Sequence, residues 1–277
     1  MQLTPLGCLA GMPARGVGSS GYLVSHGDHR IMLDAGPGTA LELSRHLASD
    51  RLTAVFISHH HSDHILDLLA VGKTVLTDRL HRDAESGELM LDEDVPRVPL
   101  FVPEGSRPIL RSLAALFPVT THPLLDEAFE LGFDVHEYEP GERVDLDGVS
   151  LRFELLQHVA ANCGVRVEAE GTSLVYTGDT GLTDALPRLA EGAGTLLSES
   201  TLRETDTTGH GHLSSQDAGR IARDAGVGEL VLTHFMTTAP EELEWHRDRA
   251  AAEFTGPISL AQPGVPIPVA PTRKVPA

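Results

Sequence analysis

Between Ser58 and His64 the chain reads Ser-His-His-His-Ser-Asp-His, a run crowded with side chains that can ligate a metal. It follows Ala54-Val55-Phe56-Ile57, an apolar segment of buried-strand type, and precedes a helical pattern, so these donors fall on one loop at a strand's end. In extended backbone, residues i and i+2 point the same way, so His59 and His61 can converge on one ion. If the helix begins near Ser62, Asp63 and His64 leave its first turn and can face a second ion close by. Imidazole with some carboxylate suits borderline divalent metals such as zinc. A bare triple histidine would read equally well as a solvated turn or an adventitious metal site; the strand before it and the Asp-His after it favour a built site.

Such a loop has to be held by a sheet. Apolar stretches bounded by Gly or Asp predict strands at Tyr22 to Val24, Ile31 to Leu33, Ala54 to Ile57, Leu100 to Val102, Leu151 to Leu155, Ser173 to Tyr176 and Leu230 to Leu232. Apolar residues at three- and four-residue spacing predict helices at Thr39 to Leu47, Ile65 to Ala70, Arg107 to Phe117, Ser215 to Ala225 and Glu241 to Phe254. Leu131 to Tyr176 carries turn signals at Pro140-Gly141, Asp147-Gly148 and Glu170-Gly171 with no helical pattern, and reads as an antiparallel meander. The acidic stretch from Leu80 to Arg97 reads as an exposed loop or hairpin, and the proline-rich tail from Gln262 as extended and frayed at its end. There is no internal repeat and no linker long enough to separate domains.

Composition narrows the function classes. The net charge is −19 and the only lysines are Lys73 and Lys274, so a long nucleic acid would meet a repulsive field almost everywhere, even after bound cations and the 15 histidines offset part of it. Cys8 and Cys163 are too few for a disulfide framework, and the first residues lack the basic and apolar regions of a signal peptide, which predicts a cytoplasmic setting. No apolar run approaches the ~20 residues that span a bilayer.

The run SHHHSDH resembles the HxHxDH signature of the metallo-β-lactamase superfamily, and other motifs follow in that family's order. LGCLAGMPARGVGSSGYLV followed by IMLDAGPGT is similar to its opening strands and turn, with Asp34 beneath the metal loop; LLQHVAANCGVRVE, LVYTGDTG and LVLTHF bring His158, Asp179 and His234. Taken singly, those three residues would read as a hydrogen-bonded structural histidine or a turn-forming Asp. The resemblance spans almost the whole chain. It implies an α/β fold, a four-layer αββα sandwich forming a single domain over residues 1–277, with 262–277 as a partly extended tail. It also implies two divalent metal ions, zinc in the first instance with manganese or iron as alternatives. His59, His61 and His158 would hold the first, Asp63, His64 and His234 the second, and Asp179 would bridge them. Two such ions ~3.5 to 4 Å apart acidify a shared water and clamp the oxygens of an in-line displacement, so hydroxide is the nucleophile and Asp63 could orient it or accept its proton. Asp179 stands where true β-lactamases commonly have cysteine or no charge, and His61 where flavodiiron proteins have glutamate, which disfavours penicillin hydrolysis and oxygen reduction.

The segment from Ser198 to Phe235 resembles the ribonuclease Z and cyclic phosphodiesterase branch, whose active-site histidine precedes Ser or Thr, as His212-Leu213-Ser214 does here. The resemblance gives His212 the role of stabilising phosphoryl oxygens or protonating the leaving group. The competing explanation is helix capping by Ser214 or Ser215 with His212 merely exposed. His60 and His210 have no matching role and read as structural or exposed. The long arm that grips tRNA in ribonuclease Z has no counterpart between His158 and Asp179, which together with the charge points to a small-molecule phosphodiester. The alternative reading is hydrolysis of a lactone, a thioester, another carboxylic ester or an aryl sulfate at the same centre; a binding or scaffolding protein would require a damaged ligand set. Homodimerisation rests on the resemblance alone.

Overall fold

A strand whose successive side chains are all apolar must be covered on both faces, because those side chains alternate sides. Ile31-Met32-Leu33 and Ala54-Val55-Phe56-Ile57 are such segments, and the computed structural model, which describes residues 1–47, 51–119 and 122–273, covers them twice. Ile31, Leu33, Ala54 and Phe56 share a hydrophobic cluster with Phe153, Val165 and Tyr176 from a second sheet. Met32, Val55 and Ile57 face the other way, into a cluster with Val71, Val75 and Leu110 from helices.

The first half of the chain runs β1 (Gln2–Gly7), β2 (Gly21–His26), β3 (His29–Leu33), α1 (Thr39–Leu43), β4 (Ala54–Phe56), α2 (Ser62–Ile65), α3 (Leu68–Thr77), β5 (Leu80–Arg82), β6 (Leu89–Leu91), β7 (Val98–Val102), α4 (Ser106–Ala115), α5 (Ala128–Gly132) and β8 (Phe133–Glu137). The second runs β9 (Arg143–Leu146), β10 (Val149–Leu156), β11 (Asn162–Ala169), β12 (Thr172–Tyr176), α6 (Ala185–Ala190), β13 (Thr195–Glu199), α7 (Ser215–Asp224), β14 (Glu229–Thr233), α8 (Pro240–Ala251), β15 (Ile258–Leu260) and β16 (Ile267–Pro268). Two seven-stranded sheets result, ordered β16-β1-β2-β3-β4-β7-β8 and β15-β14-β13-β12-β11-β10-β9. They pack face to face, with α1, α3, α4 and α5 outside the first and α6, α7 and α8 outside the second, which is the αββα sandwich of the metallo-β-lactamase fold.

The mixed pairing decides where chemistry can collect. Strands β3, β4, β7 and β8 run parallel, as do β12, β13, β14 and β15, and parallel neighbours need crossovers that here carry the helices. The carboxyl ends of parallel strands lie on one edge, so the loops after β3, β4, β12, β13 and β14 open there together. Strand β10 is antiparallel to β11, itself antiparallel to β12, so its carboxyl end reaches the same edge. Beneath it Phe153 stacks on Phe56 and on Tyr138 at centroid distances of 5.5 and 4.6 Å. The Tyr138 hydroxyl donates to the carbonyl oxygens of Ile57 and Ser58 at 2.9 and 3.0 Å, tying the metal loop to this aromatic core.

Several local expectations need correction. The helix expected at Ile65 to Ala70 is two helices, α2 and a longer α3; Gly72, which interrupts the apolar pattern, continues α3 where the rings of Phe133 and Phe129 lie 3.1 and 3.5 Å from the position a Cβ would take. The helix expected to Leu47 ends at Leu43. Strand β8, read as part of the meander, belongs to the first sheet beside β7, so the antiparallel run is β9 to β12. Strand β13 was hidden by its polar end, Ser198-Glu199, although all five of its residues are buried. The acidic stretch forms an exposed hairpin, β5 with β6. The tail runs back along β1 through β16 and bridges Thr172 at Pro271; the frayed end expected at 274–277 lies outside the described residues. No helix among the described residues is long and apolar enough to cross a membrane.

Candidate metal centre

His61 stands in extended backbone immediately before α2, so the alternation expected of His59 and His61 holds and Asp63 and His64 fall in the first helical turn. The remaining donors arrive on strand ends: His158 after β10, Asp179 after β12 and His234 after β14. Two of these approaches need special backbone. Gly178, just before Asp179, has φ 57°, and a Cβ there would meet Asn162 Oδ1 at 2.3 Å. His234 itself has φ 60°, a left-handed conformation that costs a non-glycine residue about 1 kcal/mol or more and is held by its surroundings.

The fold brings all seven sequence-predicted ligands together. One donor atom from each of His59, His61, His158 and Asp179 lies within 4.8 Å of the others, and the same holds for Asp63, His64 and His234. Asp179 stands between the groups: Oδ2 is 3.7 Å from His59 Nε2 and 4.0 Å from His158 Nε2, while Oδ1 is 3.3 Å from His64 Nε2 and 3.4 Å from His234 Nε2. Donors on a tetrahedral ion with ~2.0 to 2.1 Å bonds stand ~3.3 Å apart, so these spacings are those of ligand shells.

Hydrogen bonds set each ring's tautomer. His158 Nδ1 donates to the Gly211 carbonyl at 2.8 Å, and His64 Nδ1 donates to Asp34 Oδ2 at 2.6 Å. Ser58 donates its hydroxyl to Asp34 and so accepts from His59 Nδ1 at 3.0 Å; Thr201 donates to Glu199 and so accepts from His234 Nδ1 at 2.7 Å. Every Nε2 in these four rings is thereby turned to the centre, and His61 presents Nδ1, 3.2 Å from His158 Nε2. Opposed bare acceptors at such distances repel unless a cation lies between them. His59 Nε2 and Asp179 Oδ1 are moreover buried with no hydrogen-bond partner. The donor set therefore fits divalent metal.

Charge follows the same logic. Burial holds His59 well below the usual imidazole range, with His64 adding to the effect, and burial likewise lowers His61 and His158; all three are neutral, as ligands must be. Burial also disfavours charge on His64 and Asp179, but their mutual attraction, with Asp34 acting on His64 and His234 on Asp179, raises the first and lowers the second well beyond their ordinary values. A proton there does the work a cation would take over. Asp63 is held down to about 2: its burial is outweighed by the neighbouring imidazoles of His234 and His64, with Gly11 N–H adding a bond of 2.8 Å to Oδ2.

Asp34 is fully buried and accepts from the backbone and side chain of Ser58, from His64 and from Tyr176. Asp34→Asn is expected to weaken metal retention about 10- to 100-fold in a chelator competition, because an amide cannot serve all these donors and His64 loses its orientation. Unchanged retention would remove Asp34 from the centre's support.

His212 stands at the rim, its ring 5.0 Å from that of His158 and 5.8 Å from that of His234, with one donor atom within 4.8 Å of donors on Asp179 and His234. Its Nδ1 is 3.1 and 3.2 Å from the two oxygens of Glu199. Burial opposes its charge, but the Glu199 carboxylate outweighs that and raises the imidazole to about 9. Capping and site roles coexist here, because Ser214 forms a capping box with Asp217 at the start of α7 while His212 faces the centre. Glu199 was missed by sequence reading. This buried carboxylate also accepts from Thr180 N–H and from Thr201, and so orients His212 directly and His234 through Thr201. The available signal was its place at the end of an apolar strand, the position Asp34 also occupies. His60 donates to Ser106 Oγ at 2.6 Å, since that hydroxyl is given to the Pro103 carbonyl, and His210 is exposed.

Residues 29–235 match the sequence profile of the β-lactamase superfamily domain. The chain is 28% identical over 270 residues to the probable metallo-hydrolase YhfI of Bacillus subtilis (strain 168), covering 95% of this chain and 98% of that protein. It is 32% identical over 282 aligned residues to a ribonuclease Z of Mycobacterium sp. (strain KMS), covering 94% and 93%. The crystal structure of human tRNase Z, short form, superposes with a TM-score of 0.74 at 22% identity over 97% of this chain and 99% of that one, a likeness of fold.

Proposed function

The chain belongs to the β-lactamase superfamily and is a metal-dependent hydrolase, and from that premise we propose that it cleaves a small phosphodiester, cyclic or linear. The observation that carries this reading is His212, held by a buried glutamate beside the two donor groups. His59, His61 and His158 would hold one divalent cation, zinc in the first instance, and Asp63, His64 and His234 a second, with Asp179 between them. Such ions supply Lewis acidity and a water that ionises near neutral pH.

The chain's own residues do the rest. Asp63, ionised and fixed by Gly11 N–H, is placed to orient the attacking water. His212, with Nδ1 committed to Glu199, has its other nitrogen available to bond a phosphoryl oxygen or protonate the departing one. A small substrate is supported by the charge of −19 and by the tight join of β11 to β12 at Glu170-Gly171, where no arm is inserted. One relative is, by its name, a ribonuclease, and so an enzyme of phosphodiester bonds. All seven proposed ligands come from one chain, so a homodimer is not needed to complete the centre. The two buried free thiols suit a cytoplasmic setting.

The test is turnover of bis(p-nitrophenyl) phosphate and cyclic nucleotides against a lactone, a thioester and an aryl sulfate, on protein of measured metal content. Phosphodiester turnover with two ions per chain is expected. Turnover confined to carbon or sulfur esters would keep the hydrolase and overturn the phosphodiester assignment.

A further inference from the structure

Beside the centre the loop after β1 meets the loop after β14. Ala10 N–H donates to the Phe235 carbonyl and Phe235 N–H to the Cys8 carbonyl, each at 2.9 Å, so the two loops are zipped into one base. Two methionines rise from it with unusual exposure for their type, Met12 at 52% and Met236 at 71%. Met12 follows Gly11, whose N–H touches Asp63, and Met236 is two residues beyond His234, so both Cα atoms lie within about 7 Å of a residue touching the centre. Between them opens a cavity of about 400 Å³ whose rim carries the hydroxyls of Thr237 and Thr238 and one charge of each sign, Arg15 and Glu241.

We propose that this cleft is the subsite for a flat aromatic or heteroaromatic ring of the substrate. The proposal rests on reading the metal centre as the place where substrate binds. Two exposed methionines that flank one cavity beside a reactive centre offer a ring an apolar contact on either side, because thioethers grip ring edges and faces through their polarizable sulfur. The threonine hydroxyls and the planar Arg15 guanidinium offer partners for polar atoms at a ring's edge. The balanced charge of the rim, in a chain of net charge −19, suits an uncharged ring.

The test uses the metal-loaded protein and three phosphonates that differ only in their organic group: phenyl, cyclohexyl and methyl. Phenylphosphonate is expected to bind about tenfold tighter than methylphosphonate, with cyclohexylphosphonate well below phenyl. In Met12→Ala/Met236→Ala that ratio is expected to fall to within about twofold of one, a difference large enough to read against the scatter of single-contact energies. Equal binding of the three, or a preference that survives the double substitution, overturns the subsite. So does a change in molecular mass on substitution, which would assign the methionines to a contact with a second copy of the chain. Because the readout is binding, an absence of phosphodiester turnover alongside an intact ring preference would sink the proposed reaction alone.

Discussion

Asp179→Ala is expected to empty the centre and stop turnover together. Asp179 touches both donor groups through separate oxygens: Oδ1 faces His64 and His234, and Oδ2 faces His59 and His158. Without that carboxylate the two donor groups lose the anion that stands between them, and binding a second cation beside the first becomes strongly unfavourable. Turnover should fall on the order of 10³-fold or more, since both nucleophile generation and charge stabilisation depend on the pair. Metal analysis after desalting and a rate measurement on the same sample decide it. Retention of two ions with a modest rate loss would show that the bridge is dispensable and the ligand assignment wrong at that position.

His212→Ala is expected to give the opposite split. His212 lies outside both complete donor groups and is anchored by Glu199, so both ions should remain while kcat for phosphodiesters falls about 10²- to 10⁴-fold, the range for a removed acid–base or charge-stabilising group. The same variant discriminates a second geometry. One donor of His212 also groups with Asp179 and His234, and if it ligated there, metal would be lost with activity. Full phosphodiesterase activity in the variant would leave the residue with only a structural part beside α7.

Much of the centre was legible because its first four donors are local. The i, i+2 spacing of His59 and His61 depends only on extended backbone, and Asp63 with His64 only on a helix starting at Ser62, so strand and helix geometry alone predict them. The strand cores were equally legible where apolar runs were continuous, as in β3, β4 and β12. Reading failed where pairing rather than pattern mattered. An isolated run such as Phe133–Glu137 does not say which sheet it joins, and β13 ends in Ser198-Glu199, whose polarity argues locally against a buried strand. Glu199 went unread for that reason, since burial of a carboxylate is tolerable only with the donors of Thr180, Thr201 and His212 around it.

By itself, then, the sequence pointed to the kind of chemistry, to most of the strands that carry it and, through resemblance, to the distant candidate ligands. Tertiary structure alone decided that His234 and His64, 170 residues apart, face each other at 3.4 Å, which tautomer each ring presents, and that one glutamate steadies both His212 and His234. The physical reason is that side-chain alternation is a property of neighbouring residues, whereas convergence at one sheet edge depends on crossovers that set strand direction, and proton positions depend on partners supplied by remote segments.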